Sequence, residues 1–204
     1  METTIIEAEK YLLLRECVAE NAEEYRAFWR ELQGKYAGWQ VDFVYRDCEA
    51  PVSFLAEIGA VMLESSLMTE LTADAFIPAG KANAVLVTEK NFADFALLHG
   101  RANPDMYWSG ERIAKRLGDW RIYMRGNVYV MMSLWGEAAE IFALVASNAK
   151  EGASLLSVAA AYAFEIGKAK VDYFIEGSAP VELEAARMVG FKACGKSVMY
   201  RGTV

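Results

Sequence analysis

The sequence has little histidine and cysteine, and this scarcity excludes several kinds of active site. His99 is the only histidine among 204 residues, so a metal site built from several histidines cannot form and a Ser-His-Asp triad has one residue to draw on. The Gly-x-Ser-x-Gly motif of many serine hydrolases is also absent. Cys17, Cys48 and Cys194 are odd in number and form no Cys-x-x-Cys pair. They indicate reduced thiols in a cytoplasmic protein.

Positive charge and long apolar runs are scarce as well. The chain has 21 Lys and Arg against 28 Asp and Glu, a net charge of −7, which argues against nucleic acid or an anionic membrane as a partner. Its longest apolar stretch, Leu155 to Phe164, is too short to span a bilayer, and its first residues lack the pattern of a signal peptide. Because 54% of the residues are hydrophobic, we expect a cytoplasmic globular protein with a substantial core.

What the sequence does contain is an internal repeat. Val18–Ala22 is echoed by Val145–Ala149, and Val41–Val44 by Val171–Phe174. Three more pairs follow in the same order: Ala50–Val52 with Ala179–Val181, Ile58–Ala60 with Val189–Phe191, and Leu67–Met68 with Val198–Met199. The offset is 127 residues between Val18 and Val145 and 131 between Gly59 and Gly190. A repeat of this length predicts a duplicated domain or half-domain rather than a solenoid.

The first half, residues 1–75, is predicted to have the order β-α-β-α-β. Asn21 is an N-cap with Glu24 as its capping-box partner, and apolar residues at helical spacing follow it. A strand over Val41 to Tyr45 and a helix opened by Pro51 come next, before a strand around Ala60 to Leu71. Residues 76–83 are small and turn-prone, so we expect a linker there.

The second half, residues 84–204, is predicted to have the order β-α-α-β-β-β-α-β-α-β. Three antiparallel strands are separated by turns at Arg125-Gly126 and Trp135-Gly136. Asn148 then caps a long helix that stops at Gly167. A second helix after Asn103-Pro104 is expected to run to about Leu117.

This order, with Glu140–Val145 leading into a glycine-bearing helix start and Gly190-Phe191 before a final strand with Tyr200, resembles the GNAT superfamily of acyl-CoA-dependent N-acetyltransferases. The resemblance covers about 120 residues and implies an α+β fold: three layers, with a mixed, mainly antiparallel central sheet flanked by helices. The second half would be a full GNAT-like domain. The first half would be a degenerate half-domain, matching only the family's carboxyl-terminal portion, as the internal repeat predicts independently.

The resemblance also implies a site for acetyl-CoA, the cosubstrate of the family, at a helix amino terminus, where unpaired N–H groups favour the pyrophosphate. The matching residues are Val145 before the loop and Lys150, Gly152, Ala153 and Ser154 within it. The loop departs from the family pattern because Ala149 lacks the usual basic or amide side chain, a charge that Lys150 could supply. Glu151 would work against an anion. The alternative is that Gly152 is simply tolerated in a first helical turn.

The catalytic residues implied by the family are only partly present. The positions of its Asn and of its Tyr, the proton donor to the leaving thiolate, hold Ala179 and Ala186; Tyr173 or solvent would have to substitute. Glu140 lies where some members place the carboxylate that takes a proton from the amine, and such a base works best with its pKa raised toward neutrality. The alternative is an ordinary solvated glutamate.

Aromatic residues lie in the connection that borders the acceptor in this family. Tyr107 and Trp108 would form a wall for the substrate there, or belong to the core. His99 is expected to be a surface or helix-end residue. In the first half the phosphate loop reads Ala22-Glu23-Glu24-Tyr25, and we predict that this half binds no CoA because its carboxylates repel a pyrophosphate.

The resulting hypothesis is an acetyl-CoA-dependent N-acetyltransferase in which a small or peptidyl primary amine attacks the thioester directly. One alternative is a catalytically inactive protein of the same fold that binds a ligand or a protein partner. Another is an assembly scaffold made of both halves. The chemistry requires no metal, and a homodimer is compatible with the sequence.

Overall fold

The structure, a computed structural model, describes residues 2–80, 82–104 and 106–204. Its helices are α1 (Ala22–Tyr36), α2 (Val52–Glu57), α3 (Phe92–Ala102), α4 (Gly110–Ala114), α5 (Ala149–Glu165) and α6 (Pro180–Val189). Its strands are β1 (Glu2–Ile6), β2 (Tyr11–Arg15), β3 (Gln40–Arg46), β4 (Val61–Thr72), β5 (Val85–Leu86), β6 (Trp120–Arg125), β7 (Val128–Ser133), β8 (Ala139–Val145), β9 (Lys170–Glu176) and β10 (Lys192–Thr203). Single 3₁₀ turns cover Glu7–Glu9 and Leu117–Asp119.

The ends of the main helices follow from local sequence signals. The Asn21 side chain accepts a hydrogen bond from the Glu24 N–H at the start of α1, and Asn148 accepts one from Glu151 at the start of α5. Helix α6 begins at Pro180, whose missing N–H is not needed in a first turn, and ends at Gly190 with φ of 101°. These four boundaries agree with the predictions.

The described chain forms two compact units, one made of residues up to Leu67 together with Gly195–Val204, the other of Met68–Cys194. In the first unit, β1 and β2 form an antiparallel hairpin, β2 pairs with β3 in parallel, and β3 pairs with the end of β10 in antiparallel. Helices α1 and α2 pack on this sheet through a core that includes Trp29, Phe43 and Phe54.

In the second unit the strand order is β10-β4-β9-β8-β7-β6-β5, with the first residues of β10 at one edge and β5 at the other. The pairs β5–β6, β6–β7 and β7–β8 are antiparallel, and β8–β9 is parallel. One face of this sheet is covered by α5 and α6, in a core that includes Ile141, Leu156 and Ala185. The other face is covered by α3 and α4, in a core that includes Phe95 and Ile113. The unit therefore has three layers, with helices on both sides of the sheet.

The predicted fold class, a mixed and mainly antiparallel sheet flanked by helices, is confirmed. The stretch from β2 to β4 and the stretch from β8 to β10 have the same element order, β-α-β-α-β, as the repeat indicates. The predicted domains, 1–75 and 84–204, and their origin by duplication stay predictions. The compact units are defined by contacts and cut the sequence elsewhere, since β10 contributes residues to both.

Two predictions about elements are wrong in detail. The first strand of the predicted order is present as β2, but a further strand, β1, precedes it, and the chain reverses between them through a 3₁₀ turn and Lys10, with φ of 50°. The helix expected to reach Leu117 ends at Ala114, before a 3₁₀ turn. Among the residues that the structure describes, no helix is both long and apolar enough to cross a membrane.

Candidate active site

The parallel strands β8 and β9 separate part-way along their length. Their register runs over three pairs and reaches Ile141↔Tyr173, whereas β8 continues to Val145 and β9 to Glu176. Past the last pair, the two strands continue without a ladder between them. The separation creates an opening in the sheet at the carboxyl ends of β8 and β9.

The equivalent parallel pair of the first unit is closed. Strands β2 and β3 pair over five residues and reach Arg15, the last residue of β2. The Glu16 N–H then donates to the Val44 carbonyl at 2.9 Å, which continues the ladder beyond the strand. The two halves thus share an element order and differ in this opening.

A register shift in β8 lies beside the opening. Met131 pairs with Ala143 but Met132 pairs with Ile141, so Phe142 is an extra residue on β8. A bulge of this kind bends the strand and re-aims its side chains, and bulges are common next to active sites. Here it falls one residue after the last β8–β9 pair.

Glu140 lies on the face of the sheet that α3 and α4 cover. It pairs with Ser133, which pairs with Trp120, and on its other side it pairs with Asp172. Residues directly opposite each other share a face, so Trp120, Ser133, Glu140 and Asp172 form one row across four strands. The carboxylate of Asp172 is ion-paired with Lys170 at 2.9 Å. Glu140 is half-buried rather than an outward, fully solvated side chain.

Tyr173 points to the opposite face, because it is the next residue after Asp172 on the strand. It is 2% exposed, and its hydroxyl donates to the Glu182 carboxylate on α6. Burial raises the pKa of Tyr173 well above its usual value and also raises the pKa of Glu182. The Tyr173 carbonyl accepts a hydrogen bond from Thr69 Oγ1 at 2.8 Å. The structure therefore does not bring Glu140 and Tyr173 together on one face; they lie on either side of the sheet at the start of the opening.

The predicted acetyl-CoA residues lie where β8 leads into α5. Val145, the last residue of β8, pairs with Tyr129. Lys150 is exposed, and the Ser154 hydroxyl donates back to the Lys150 carbonyl at 3.0 Å. Ala153 is fully buried. These residues share one helix end, and Lys150 supplies a solvent-facing cationic side chain there.

Gly152 has a packing role in this structure. It is buried, and a Cβ at this position would lie 3.0 Å from the Ala185 Cβ and 3.2 Å from Leu144 Cδ2. Both contacts are tighter than most real Cβ contacts. The missing side chain thus lets α5 approach α6 and β8 closely, which explains a glycine in the first turn without any ligand.

Glu151 closes the start of α5 with its own side chain. Its carboxylate accepts a hydrogen bond from the Ser147 N–H at 3.0 Å and is ion-paired with Arg125 at 2.6 Å. The backbone hydrogen bond from Ser147, followed by that from Arg125, lowers the pKa of Glu151. Helix α1 starts in the same way, since the Glu20 N–H donates to Glu24 at 3.0 Å. A capping box was predicted for α1; the one at α5, and its Arg125 partner, were not.

Tyr107 and Trp108 are part of an aromatic group that sequence reasoning found only in part. The two rings contact each other at a centroid distance of 5.3 Å. Trp108 also contacts Trp120 at 5.2 Å and Trp135 at 4.9 Å. Trp120 and Trp135 come from β6 and from the turn after β7, so only the pairing of antiparallel strands brings them to Trp108. We call Trp108, Trp120, Trp135 and the adjoining Phe142 the tryptophan cluster.

Of the two alternatives expected for His99, the helix-end position is confirmed and the surface position is wrong. It is in the last turn of α3 but is fully buried. Its Nδ1 lies 2.7 Å from the Tyr129 hydroxyl and its Nε2 lies 2.7 Å from the Trp108 carbonyl. Asn103 donates to the Tyr129 hydroxyl at 2.6 Å. A carbonyl accepts only, so Nε2 carries the proton, and a neutral ring satisfies the whole network by accepting at Nδ1. The network fixes the backbone of Trp108.

No protein-family model matches the sequence, and no curated protein matches it significantly. Solved structures are similar. A GCN5-related N-acetyltransferase from Sphaerobacter thermophilus superposes with a TM-score of 0.68 at 11% identity, covering 98% of this chain and 76% of that one. A GCN5-related N-acetyltransferase from Kribbella flavida gives 0.66 at 13% identity, covering 94% and 80%. The chain has the GNAT fold.

A tandem GNAT protein from the clavulanic acid biosynthesis pathway is similar over nearly the whole chain as well. Its TM-score is 0.62 at 16% identity, and the match covers 98% of this chain and 77% of that one. At identities this low, the structural similarity establishes the GNAT fold alone. It confirms the predicted resemblance at the level of the fold. A fold hosts many functions, so the chemistry depends on the residues of this chain.

Proposed function

We propose that this chain is an acetyl-CoA-dependent N-acetyltransferase whose acceptor is a small or peptidyl primary amine. The observation that supports the proposal is the opening between β8 and β9, which has no counterpart between β2 and β3. An extended amide chain such as pantetheine suits the opening, because it can lie along a strand as another strand would. The first unit offers no such place.

The start of α5 suits the CoA pyrophosphate only in part. The first intrahelical hydrogen bond runs from the Gly152 N–H to the Asn148 carbonyl, so the N–H groups of Ala149 and Lys150 point out of the helix end. The Lys150 side chain adds a positive charge. Against this, Glu151 holds the Ser147 N–H and pairs with Arg125. We infer that Glu151 weakens CoA binding and that Arg125 becomes a phosphate partner when CoA is bound.

The two faces of the sheet give the candidate residues separate roles. Acetyl-CoA supplies an acyl group activated as a thioester. Glu140 accepts the proton of the attacking amine, directly or through water, on the face of α3 and α4. The Glu140 carboxylate favours a cationic amine, since Asp172 beside it is already paired with Lys170.

Tyr173 lies on the face of α5 and α6, where Ala186 occupies the family's position for a proton donor. Its hydroxyl is hydrogen-bonded to Glu182, which is one turn before Ala186 on α6. We propose that Tyr173 protonates the leaving thiolate from this side. Glu140 would then accept the amine proton on one face of the sheet, and Tyr173 would donate a proton to the thiolate from the other face. This arrangement is consistent with direct transfer.

The second candidate function is a non-catalytic binding protein of the same fold. It is favoured by Ala186, a buried core residue at the proton-donor position, and by the capping of α5 by Glu151. Losing a general acid typically costs about 10²–10⁴-fold in rate and does not abolish catalysis, so we rank the enzyme first.

Two measurements on the intact protein separate these functions. Acetyl-CoA at about 100 times its Kd should add roughly 2.7 kcal/mol of stability in thermal unfolding, and no shift at millimolar acetyl-CoA would contradict both the CoA site and the enzyme. Thiol release from acetyl-CoA with a panel of primary amines then tests turnover. A thermal shift without thiol release above the buffer rate for any amine would favour the binding protein.

A further inference from the structure

The tryptophan cluster contains two polar groups that the protein leaves without a partner. The indole Nε1–H groups of Trp120 and Trp135 are buried and have no hydrogen-bond acceptor among the described residues. The whole Trp120 side chain is 4% exposed. Native proteins pair nearly all buried polar groups, and a buried tryptophan usually finds an acceptor for its N–H. Two such donors within one cluster therefore point to an acceptor that the chain does not itself provide.

The cluster reaches the surface through Trp108, Trp135 and Phe142, which are half-buried. Trp120 and Trp135 have ring centroids 4.9 Å apart, and Phe142 lies 5.2 Å from Trp120. The Arg116 guanidinium covers the group, 5.1 Å from the Trp135 centroid and 6.0 Å from that of Trp108. The Arg116 side chain is more than half exposed, and its guanidinium is ion-paired with the Asp119 carboxylate at 2.7 Å. A flat group can replace this flexible side chain on the indole faces, because both use the same stacking surface.

The position of the cluster ties it to the proposed reaction. Trp120 and Glu140 are in the same cross-strand row, separated by Ser133 on β7. Two strand spacings place their backbones roughly 10 Å apart, a span that suits a substituted benzylamine. The His99–Trp108 hydrogen bond fixes the position of Trp108, and the bulge in β8 fixes that of Phe142. A ligand resting on the tryptophans would therefore have one end near Glu140.

We propose that the tryptophan cluster binds the body of the acceptor, and that the acceptor is a primary amine carried on an aromatic ring with an oxygen substituent. The assignment rests on the proposed acetyltransferase function for the role of the amine. The ammonium group faces the Glu140 carboxylate, the ring stacks on the indoles in place of Arg116, and the oxygen accepts from Trp120 and Trp135.

Three probe amines test the assignment with the intact protein. 4-(Aminomethyl)benzamide has both the ring and the oxygen, benzylamine lacks the oxygen, and 4-aminobutanamide lacks the ring. We expect kcat/KM for 4-(aminomethyl)benzamide, measured by thiol release from acetyl-CoA, to exceed that for each of the others by about tenfold or more, the ratio that an unmade hydrogen bond to a buried donor produces. Equal values for the three amines would overturn the assignment without any variant.

Phenylalanine variants separate the indole N–H from the ring. Trp120→Phe and Trp135→Phe keep an aromatic side chain and remove the donor, and Trp39→Phe, in the first unit, is the matched control. The first two should lower kcat/KM for 4-(aminomethyl)benzamide by about tenfold more than kcat/KM for benzylamine, since both amines lose part of the indole stacking surface but only the benzamide loses the hydrogen bond. An equal loss for both amines means a structural role only and contradicts the assignment.

Binding without acetyl-CoA distinguishes failure of this assignment from failure of the proposed function. In calorimetric titrations 4-(aminomethyl)benzamide should bind more tightly than benzylamine, and the two phenylalanine variants should remove the difference. That result in the absence of thiol release would keep the tryptophan cluster as a binding site and reject the transferase. Thiol release with aliphatic amines, together with no preference among the three probes in either assay, would keep the transferase and reject the assignment.

Discussion

The carboxylate of Glu151 lies 2.6 Å from the guanidinium of Arg125, at the helix start that is proposed to bind the CoA phosphates. The same carboxylate accepts the Ser147 N–H. A negative charge at a helix amino terminus stabilises the free protein, but it competes with any other anion for the same dipole and donors. Glu151 thus favours the folded helix and opposes the proposed ligand.

Glu151→Gln should tighten CoA binding. Removing one like charge from the helix end is worth about 0.3–1 kcal/mol, or roughly a two- to fivefold lower Kd by calorimetric titration, and it frees Arg125. The matched control is Glu24→Gln, which alters the same capping box in the first unit and should leave the Kd unchanged. Weaker or equal CoA binding in Glu151→Gln would show that the phosphate lies elsewhere.

Glu140→Gln should lower kcat by about 10²–10⁴-fold if Glu140 is the general base, with little change in acetyl-CoA affinity. The control is Glu137→Gln, an exposed glutamate three residues earlier, which should keep full activity. The rates of both proteins should be compared from pH 6 to 9, because the pH dependence of kcat that a general base causes should be lost in the variant. Unaltered kcat in Glu140→Gln would remove this residue from the mechanism.

Gly152→Ala should destabilise the protein, whereas Gly34→Ala should stabilise it. Alanine in a helix gains up to about 1 kcal/mol over glycine, and at Gly34 nothing lies within 4 Å of the new Cβ. At Gly152 the new Cβ would press on Ala185 and Leu144, and overpacking of this kind costs about 1–3 kcal/mol.

The difference between the two glycine variants is measured by urea unfolding. Adding Ala185→Gly to Gly152→Ala should restore part of the loss, because it removes the 3.0 Å contact. If Gly152→Ala is as stable as Gly34→Ala, the start of α5 has more room beside Ala185 and Leu144 than the 3.0 and 3.2 Å contacts allow.

His99 should make folding sensitive to mild acid. Burial lowers the pKa of His99 below its ordinary value of 6.5, so between that value and the folded-state pKa the unfolded chain binds a proton that the folded protein does not. The free energy of unfolding therefore falls as the pH drops below 6.5 and levels off beneath the folded-state pKa. In urea unfolding from pH 7.5 to 5, the His99→Gln variant should lack this fall in the free energy of unfolding. Identical pH profiles for the variant and the unaltered protein would contradict the role of His99.

The sequence predicts local features of this fold well, because their causes are local. Asn21 and Asn148 are caps that act on an N–H three residues away, and Gly190 ends α6 through its own backbone conformation. The hairpin before β2 was not predicted because its turn uses Lys10 in the left-handed region, where glycine or asparagine would have been the signal.

The site is less predictable because its residues meet only through strand pairing. Trp120 and Trp135 come together with Trp108 across β6, β7 and the loop before α4, and no short motif links them. Glu140 and Tyr173 are both near the opening, but their faces depend on the β8–β9 register. His99 had no sequence signal for burial, since its partners Tyr129 and Trp108 lie on other elements.

The most direct test of the account is hydrogen exchange of the intact protein with and without saturating acetyl-CoA. We predict that backbone amides of residues 142–145 and 174–176 exchange more slowly when acetyl-CoA is bound, because the ligand lies along the strands in the opening. Amides of β2 and β3 should exchange at the same rate in both states. Unchanged exchange at 142–145 and 174–176, or new protection at β2 and β3, would contradict the proposed site.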